Sequence, residues 1–168
     1  MVQRLQDILS KLYRPPTDGT RQVYALSRSE AEKLPPLPSI AVISITAPER
    51  PPANVGSIAH LLRLSFADVN FFDPDLSERA RAKLPQAFTV KHSEAIRAFI
   101  SDLPDDIRTV IVHCEGGYSR SCAVAVALHR LYGYEVSLEH LAGANPSIIR
   151  VMLGDIPKSY KSTQLGRR

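Results

Sequence analysis

The sequence predicts an α/β fold with a central, mostly parallel sheet flanked by helices. Two short apolar runs, over residues 40–45 and 109–113, are typical of buried strands, and residues 61–66 alternate apolar and polar side chains as a further strand does. Helix-like runs over residues 93–100 and 120–132 alternate with these strands in the second half of the chain. Alternation of strands and helices favours a sheet with a parallel centre and helices packed on its faces. Sheets of this kind bind ligands at the carboxyl ends of their strands.

Proline pairs divide the first half of the chain into short elements. They occupy positions 15–16, 35–36 and 51–52, where regular structure is expected to end. Leucine and isoleucine recur at helical spacing between residues 5 and 12, which indicates an amphipathic helix. In order, the predicted elements are a helix over 3–13, a strand over 22–26, a short helix ending at 33, and strands over 40–45 and 61–66.

The second half of the chain carries the longer helices and the last strand. Ser93 is a suitable cap for the helix over residues 93–100, and Gly133 is a suitable stop for the helix that begins near Arg120. Pro146 fits the first turn of a final helix that runs to Met152. The remaining predicted elements are a short helix over 77–84, a strand over 109–113 and the start of a helix over 137–141.

Length and composition indicate a single globular domain. The chain has 168 residues, a formal net charge of +4 and two cysteines. The modest positive charge suits an anionic substrate but is not by itself a nucleic-acid footprint, so no nucleic-acid partner is predicted. The two cysteines provide no disulfide framework, and neither a membrane span nor a secretory signal is expected, so a cytoplasmic location is predicted. We expect flexible ends over residues 1–20 and over the basic tail 158–168, and the sequence does not indicate the oligomeric state.

Residues 113–121, with the sequence His-Cys-Glu-Gly-Gly-Tyr-Ser-Arg-Ser, carry most of the chemical information. They follow a predicted strand and open a predicted helix, and backbone N–H groups in a curled loop and at a helix start bind oxyanions. Gly116 and Gly117 permit the positive φ values that such a loop needs. Cys114 at the base of the loop is favoured as a nucleophilic thiolate. Arg120 offers a planar fork for two oxygens of a phosphate.

This stretch resembles the signature of the cysteine-dependent protein tyrosine phosphatase superfamily, which is His-Cys, five residues, Arg, and then Ser or Thr. Gly117 fills the glycine position of that signature and Ser121 fills the hydroxyl position. The loop comes after two thirds of the chain, an order similar to that of the dual-specificity branch. The resemblance implies a fold like that of the dual-specificity phosphatases (phosphotyrosine phosphatase II type), with one phosphatase domain over residues 1–168. It also implies hydrolysis of a phosphorylated protein or small phosphomonoester through a phosphocysteine intermediate, without metal or cofactor.

The resemblance implies a role for each polar residue of the signature. Cys114 attacks phosphorus, and Arg120 binds two phosphoryl oxygens and holds the charge of the transition state. Ser121 eases departure of the sulfur as thiolate, or else caps the following helix. His113 orders the loop in a supporting role, and Asn145 either braces the loop or caps the last helix. The residues whose N–H groups are expected to bind the phosphate are Glu115, Gly116, Gly117, Tyr118, Ser119 and Arg120.

The proton donor is the least determined part of the predicted site. A phosphomonoester leaves poorly as an alkoxide or phenoxide, so a general acid is needed. In the family this acid is an aspartate on a loop after an upstream strand. Asp68 follows the strand over 61–66 and matches that position, although it lies further from Cys114 than is usual for the family. Asp73 and Asp75 lie on the same loop and are the alternatives, and residues 73–91 resemble an insertion.

Three further residues near the signature have interpretations of their own. Glu115 is expected to point to solvent, and we hypothesise that its charge disfavours acidic substrates. Tyr118 either lines the rim of the pocket or packs on a neighbouring loop. Cys122, two residues beyond Arg120, is expected to be a buried inert thiol rather than a redox partner of Cys114. The histidines show no metal-ligand spacing, so no metal site is predicted.

Two other functions fit part of this pattern. A catalytically weak phospho-binding module would keep Cys114, Arg120 and Ser121 but would not need a working acid. A rhodanese-like sulfurtransferase also holds a cysteine in an anion-binding loop, although an arginine followed by serine at a helix start fits phosphate better. The substrate is left open by the sequence, which is compatible with phosphotyrosine, phosphoserine or phosphothreonine, a phosphoinositide or a nucleotide.

Overall fold

A computed structural model describes residues 2–137 and 140–155 of the chain. It confirms the predicted α/β architecture, with a four-stranded sheet whose strand pairs are all parallel. The strands are β1 (Gln22–Ser27), β2 (Ile40–Thr46), β3 (His60–Ser65) and β4 (Thr109–Cys114). The helices are α1 (Val2–Tyr13), α2 (Arg28–Ala31), α3 (Glu78–Ala82), α4 (Val90–Ser101), α5 (Arg120–Tyr132) and α6 (Pro146–Leu153).

The strand order β1-β4-β2-β3 places β4 inside the sheet, between β1 and β2. The register pairs Ser27 of β1 with Cys114 at the end of β4. On the other side of β4, Ser44 of β2 pairs with His113. Because all strands are parallel, the loops that follow β1, β2, β3 and β4 leave from the same edge of the sheet. The sequence stretch with the signature therefore begins at the centre of that edge, as expected for a ligand site in this fold class.

Both faces of the sheet are buried along β2 and β4, whose strands are nearly continuously apolar, whereas the edge strand β3 is partly exposed. Successive side chains of a strand point to opposite faces, so Ala41, Ile43 and Ile45 join a core that includes residues of α4, α5 and α6. Ile40 and Val42 join a second core that includes residues of α1. β4 is buried at every position, so the loop that follows it starts from a fixed backbone.

Helix α4 begins earlier than the sequence pattern indicated. Its N-cap is Thr89 rather than Ser93, because Thr89 and His92 form a reciprocal capping box in which each side chain accepts the other residue's backbone N–H. Ser93 lies inside the helix and is buried. The helix predicted over 77–84 is shorter than expected and is followed by a 3-10 turn at Leu84–Gln86, since Pro85 cannot continue α-helical hydrogen bonding.

The ends of the chain are described in part. Helix α1 confirms the amphipathic pattern, because Ile8 and Leu12 are buried against the sheet. The basic tail 158–168 and two positions of the helix expected over 137–141 lie outside the described residues. Within residues 2–137 and 140–155, each helix is too short or too polar to cross a membrane.

Candidate active site

The candidate site lies at the carboxyl edge of the sheet, where residues distant in sequence meet. Arg28 comes directly after β1, Arg50 follows β2, and Asp68 follows β3. The loop over residues 115–119 connects β4 to α5. A cleft of about 250 Å³ opens among these loops. Its lining residues are Ala47, Glu49, Arg50, Ala67, Asp68, Lys83, Gln86, Glu115 and Arg120.

Cys114 is the last residue of β4 and is almost fully buried. The backbone N–H of Gly117 donates to its Sγ at 3.3 Å, and the hydroxyl of Ser121 lies 3.1 Å from the same sulfur. Both contacts can donate a hydrogen bond to a thiolate. Ser121 belongs to the first turn of α5, whose N-cap is Ser119, so its hydroxyl faces the sulfur rather than capping the helix. Two hydrogen-bond donors thus converge on the sulfur at the base of the loop.

Gly117 gives the loop its curl. Its φ is +79°, a left-handed value that side chains with a Cβ rarely adopt. A Cβ at this position would lie 2.5 Å from the backbone N of Ser27, so the loop packs directly against the end of β1. At Gly116, a Cβ would meet only the ring of Tyr118, an exposed side chain that can move aside. Of the two glycines, Gly117 therefore has the steric requirement, since its contacts are with backbone atoms.

Arg120 opens helix α5 and is only 6% exposed. One of its terminal nitrogens donates to the carbonyl of Phe66 at 2.9 Å, which fixes the guanidinium beside the end of β3. Its Nε is buried and has no hydrogen-bond partner within the described part of the chain. A buried cationic N–H without an acceptor is costly, and an oxyanion in the adjoining cleft would provide one. The side chain is therefore anchored at one nitrogen and has an unused donor at another.

Asp68 is tied to the same loop from the other side. Its Oδ1 accepts a hydrogen bond from the Ser119 hydroxyl at 2.9 Å and another from Nδ2 of Asn145 at 3.0 Å. Within residues 2–137 and 140–155, its Oδ2 makes no hydrogen bond. The carboxylate is exposed and lines the cleft together with Arg120. Asp68 therefore lies next to the loop with one oxygen held and the other open to the cleft.

Asn145 contacts both the last helix and the signature loop, the two partners between which the sequence left a choice. Its Oδ1 caps α6 by accepting from the backbone N–H groups of Ser147 and Ile148. Its Nδ2 donates to Asp68 and to the carbonyl of Val69, and its backbone N–H donates to the carbonyl of Ser119. One buried residue thus joins three parts of the site, with its side chain bound to the Asp68 loop and α6 and its backbone N–H bound to the signature loop.

The alternative acids lie away from this network. Asp73 and Asp75 are exposed, and Oδ1 of Asp73 accepts the backbone N–H of Asp75 at 2.9 Å. This contact is an Asx turn, in which the carboxylate organises its own loop. Neither residue lines the cleft that Asp68 and Arg120 share. The geometry therefore favours Asp68 among the three aspartates.

His113 is fully buried and connects β4 to β2. Its Nδ1 lies 3.3 Å from the carbonyl of Cys114, and its Nε2 lies 2.6 Å from the hydroxyl of Ser44. Burial lowers the pKa of His113 below its ordinary value, more than its hydrogen bond to the Cys114 backbone raises it, so the ring is neutral near pH 7. A carbonyl accepts only, which assigns the proton to Nδ1 and leaves Nε2 to accept from Ser44.

Glu115 does not point freely into solvent, contrary to expectation. Its Oε1 lies 3.2 Å from a terminal nitrogen of Arg28 and 3.4 Å from Nε of Arg50, and its side chain is one-third exposed. Partial burial raises the pKa of Glu115, but the hydrogen bonds and charges of the two arginines outweigh this and hold the pKa below its ordinary value. The carboxylate is therefore charged and compensated at neutral pH.

The two remaining residues differ in exposure. Tyr118 is 66% exposed, with its ring lying over Gly116, and it is not among the residues lining the cleft. Cys122 is fully buried, and its Sγ lies 3.3 Å from the carbonyl oxygens of Gly117 and His140. The thiol of Cys122 thus contacts the backbone of the signature loop from below. In the described part of the chain, no three His, Cys, Asp or Glu side chains converge as a metal site requires.

Sequence reasoning missed three residues that shape the site, namely Arg28, Arg50 and Ser44. Arg28 and Arg50 lie just beyond the carboxyl ends of β1 and β2, where the loops of a parallel sheet converge. That rule could have drawn attention to both arginines. Ser44 sits within an apolar strand, and a polar residue in such a strand signals a buried hydrogen-bond partner.

No model of a protein family matches this chain, and no curated protein sequence matches it.

Proposed function

We propose that this chain is a phosphomonoester hydrolase of the cysteine-dependent, dual-specificity-like class, which transfers the phosphoryl group of its substrate to Cys114. The observation that carries this proposal is the arrangement around Arg120. The guanidinium is buried and anchored by Phe66, and its Nε has no hydrogen-bond partner within the described residues. Arg120 lines the cleft together with Asp68 and Glu115. A phosphate bound there would supply the missing acceptor.

In the first step, the Cys114 thiolate attacks phosphorus and the bond from phosphorus to the ester oxygen breaks. Arg120 and the N–H groups of the loop hold the equatorial oxygens as charge builds on them. Asp68 gives its proton to the departing alkoxide or phenoxide. Because both of its hydrogen bonds reach Oδ1, Oδ2 is the oxygen that carries this proton. The products of this step are an alcohol or phenol and a phosphocysteine.

In the second step, water attacks phosphorus and the sulfur–phosphorus bond breaks. The Asp68 carboxylate takes the proton of the attacking water and is thereby restored as an acid. The Ser121 hydroxyl, 3.1 Å from the sulfur, donates a hydrogen bond to the departing thiolate. Inorganic phosphate leaves and Cys114 is returned to its starting state, so the cycle needs no metal, oxidant or reductant.

Hydrolysis of 4-nitrophenyl phosphate by the wild-type protein and by Cys114→Ser tests the proposal. We expect turnover in the wild type, inhibition by vanadate, and loss of activity to background in Cys114→Ser. Cys122→Ser is the matched control, because it removes the other thiol and is expected to retain most of the activity. Turnover that survives Cys114→Ser would refute phosphocysteine chemistry. Phosphate binding without turnover in the wild type would instead indicate a phospho-binding module.

A further inference from the structure

Glu115 and Arg50 line one side of the cleft, and the Glu115 carboxylate also pairs with Arg28. Oε1 of Glu115 contacts both Arg28 and Arg50, and Glu115 itself belongs to the signature loop. The backbone N–H of Arg28 also donates to the carbonyl of Glu115. The group of Arg28, Arg50 and Glu115 is called the Glu115 clamp below. It joins the loop after β2 to the loop after β4.

The two arginines of the Glu115 clamp are held in different ways. Arg28 is mostly buried and also donates to the carbonyls of Pro51 and Pro52 at 2.8 and 3.0 Å, so its guanidinium is committed to the fold. The side chain of Arg50 is 53% exposed, and within the described residues Glu115 is its one ion-pair partner. Arg50 lines the cleft and Arg28 does not. Arg50 is therefore the cation that a substrate could reach if Glu115 released it.

We propose that Glu115 is a specificity-determining residue that keeps Arg50 from binding a second anionic group of the substrate. The proposal rests on the proposed function and defines the charge class of its substrate. With the Glu115 carboxylate in place, the charge of the exposed Arg50 guanidinium is already compensated. The clamp therefore attracts an acidic substrate group beside the scissile phosphate only weakly. Without the Glu115 carboxylate, Arg50 becomes an uncompensated cation within the same cleft as Arg120. Arg50 then attracts acidic residues that flank the phosphorylated residue of the substrate.

The test compares two phosphotyrosine peptides that differ only at the two residues flanking the phosphotyrosine, which are Glu in one and Gln in the other. Their dissociation constants are measured by calorimetry on Cys114→Ser protein, in which the peptide is not consumed. The ratio of the two constants reports the charge preference of the cleft. With Glu115 present we expect the two peptides to bind within about twofold of each other, because exposed compensated pairs contribute little.

Replacing Glu115→Gln in the same background is expected to shift the ratio about fivefold in favour of the Glu-flanked peptide, the size typical of a strong exposed ion pair. Glutamine keeps the shape and a hydrogen-bond acceptor. Glu49→Gln is the matched control, because Glu49 lines the same cleft and loses the same charge but pairs with neither arginine. If Glu49→Gln shifts the ratio equally, the effect is one of net charge and the proposal is wrong.

Arg50→Gln identifies the cation, and as a single variant it does not depend on the folding of the Glu115 variant. Adding Arg50→Gln to Glu115→Gln is expected to abolish the fivefold shift. Arg50→Gln alone is expected to leave the ratio within twofold of the starting value. A fivefold loss of Glu-flanked binding in Arg50→Gln alone would mean that Arg50 already binds the substrate, which overturns the proposal.

Turnover of the Gln-flanked peptide by the wild-type protein separates this inference from the proposed function. Phosphate release that Cys114→Ser abolishes supports the hydrolase, whatever the peptide ratio shows. If the wild type releases no phosphate but Glu115→Gln shifts the ratio, the hydrolase is wrong and the clamp still sets binding preference. An unchanged ratio together with normal turnover overturns the role of Glu115 alone.

Discussion

The buried half of the site and its exposed wall are built by different interactions. Cys114, Arg120 and Ser121 are nearly inaccessible and are held by hydrogen bonds to backbone and to each other. Glu115 and Arg50 are partly exposed and are held to each other by an ion pair, and Glu115 also pairs with Arg28. Buried polar groups lose heavily when a partner is removed, whereas exposed ion pairs contribute roughly 0–1 kcal/mol. The buried half is therefore suited to fixed chemistry and the wall to adjustable preference.

The largest effect is expected at Gly117, where the buried half meets β1. Gly117→Ala places a Cβ 2.5 Å from the backbone N of Ser27 at a positive φ. The loop must shift, which moves the N–H that contacts Cys114 Sγ and the start of α5. We expect kcat/KM for 4-nitrophenyl phosphate to fall by about 10³-fold or more, since small displacements of positioned groups cost about 10²-fold by themselves.

Gly133→Ala is the control for the backbone cost of this change. Gly133 ends α5 at a φ of +72°, similar to that of Gly117, but a Cβ there would meet no atom within 4 Å. We expect Gly133→Ala to lower the free energy of unfolding by about 1 kcal/mol while kcat/KM stays within twofold. Equal losses of activity in the two variants would show that the contact with Ser27 does not set the loop's geometry.

Asp68 does not fit the contrast between buried catalytic residues and exposed residues that adjust preference. It is exposed, yet we expect it to be essential for catalysis. Asp68→Asn preserves the acceptor for Ser119 and Asn145 but removes the transferable proton. We expect kcat to fall by about 10²-fold or more for a substrate with a poor leaving group, and the decline of activity on the alkaline side of the pH profile to disappear. The loss should be smaller for 4-nitrophenyl phosphate, whose leaving group needs less protonation.

Asp73→Asn is the matched control for the acid. It removes the same charge from the same loop, where Asp73 organises an Asx turn outside the cleft. We expect the kcat of Asp73→Asn, and the decline of its activity on the alkaline side of the pH profile, to match those of the wild type. If Asp73→Asn rather than Asp68→Asn abolishes the alkaline limb, the assignment of the acid is wrong.

The sheet could be predicted from the sequence because its strands are short, apolar and separated by breakers. Each predicted strand agrees with the structure to within one residue at either end. The start of α4 could not be predicted correctly, since the pattern gave no sign that the His92 side chain would accept the backbone N–H of Thr89. Histidine is an unusual member of a capping box, in which Glu or Gln is the common residue.

The candidate site was predictable where the chemistry is local in sequence. The proximity of Cys114, Arg120 and Ser121 could be predicted because one strand-loop-helix unit contains all three. The strand order could not be predicted from the sequence. This order places β2 beside β4, and it thereby brings Ser44 next to His113 and Arg50 next to Glu115. Long-range partners of this kind depend on which strands are neighbours, and residue spacing does not encode that.

Ser44→Ala tests whether the buried half depends on its neighbouring strand. The substitution leaves Nε2 of a fully buried His113 without its 2.6 Å partner. We expect the free energy of unfolding to fall by about 1–3 kcal/mol in urea denaturation, with a smaller change in kcat. Ser93→Ala is the control, because Ser93 is equally buried but its hydroxyl makes no hydrogen bond in the described part of the chain. Similar losses in both variants would indicate packing alone.

The smallest effect concerns His92, which lies behind the buried half. Its ring packs against Phe66, whose carbonyl holds Arg120, and its Nδ1 accepts the backbone N–H of Thr89. Burial lowers the pKa of His92 below its ordinary value of 6.5, and a hydrogen bond to the Ser65 backbone only partly opposes this. The unfolded chain therefore binds more protons near pH 6, so stability is present above pH 6.5 and is lost as the pH falls through the folded pKa.

His92→Gln separates this titration from the helix cap, since glutamine at the same position also accepts the N-cap N–H. We expect the difference in Tm between about pH 8 and about pH 5.5 to be smaller in the variant than in the wild type. Part of the difference remains, because His113 has a lowered pKa from the same cause, burial. Glu115 contributes nothing in this window, since its pKa lies below the ordinary 4.5 and its charge stays constant. An unchanged difference would mean that His92 does not contribute to the acid sensitivity of the fold.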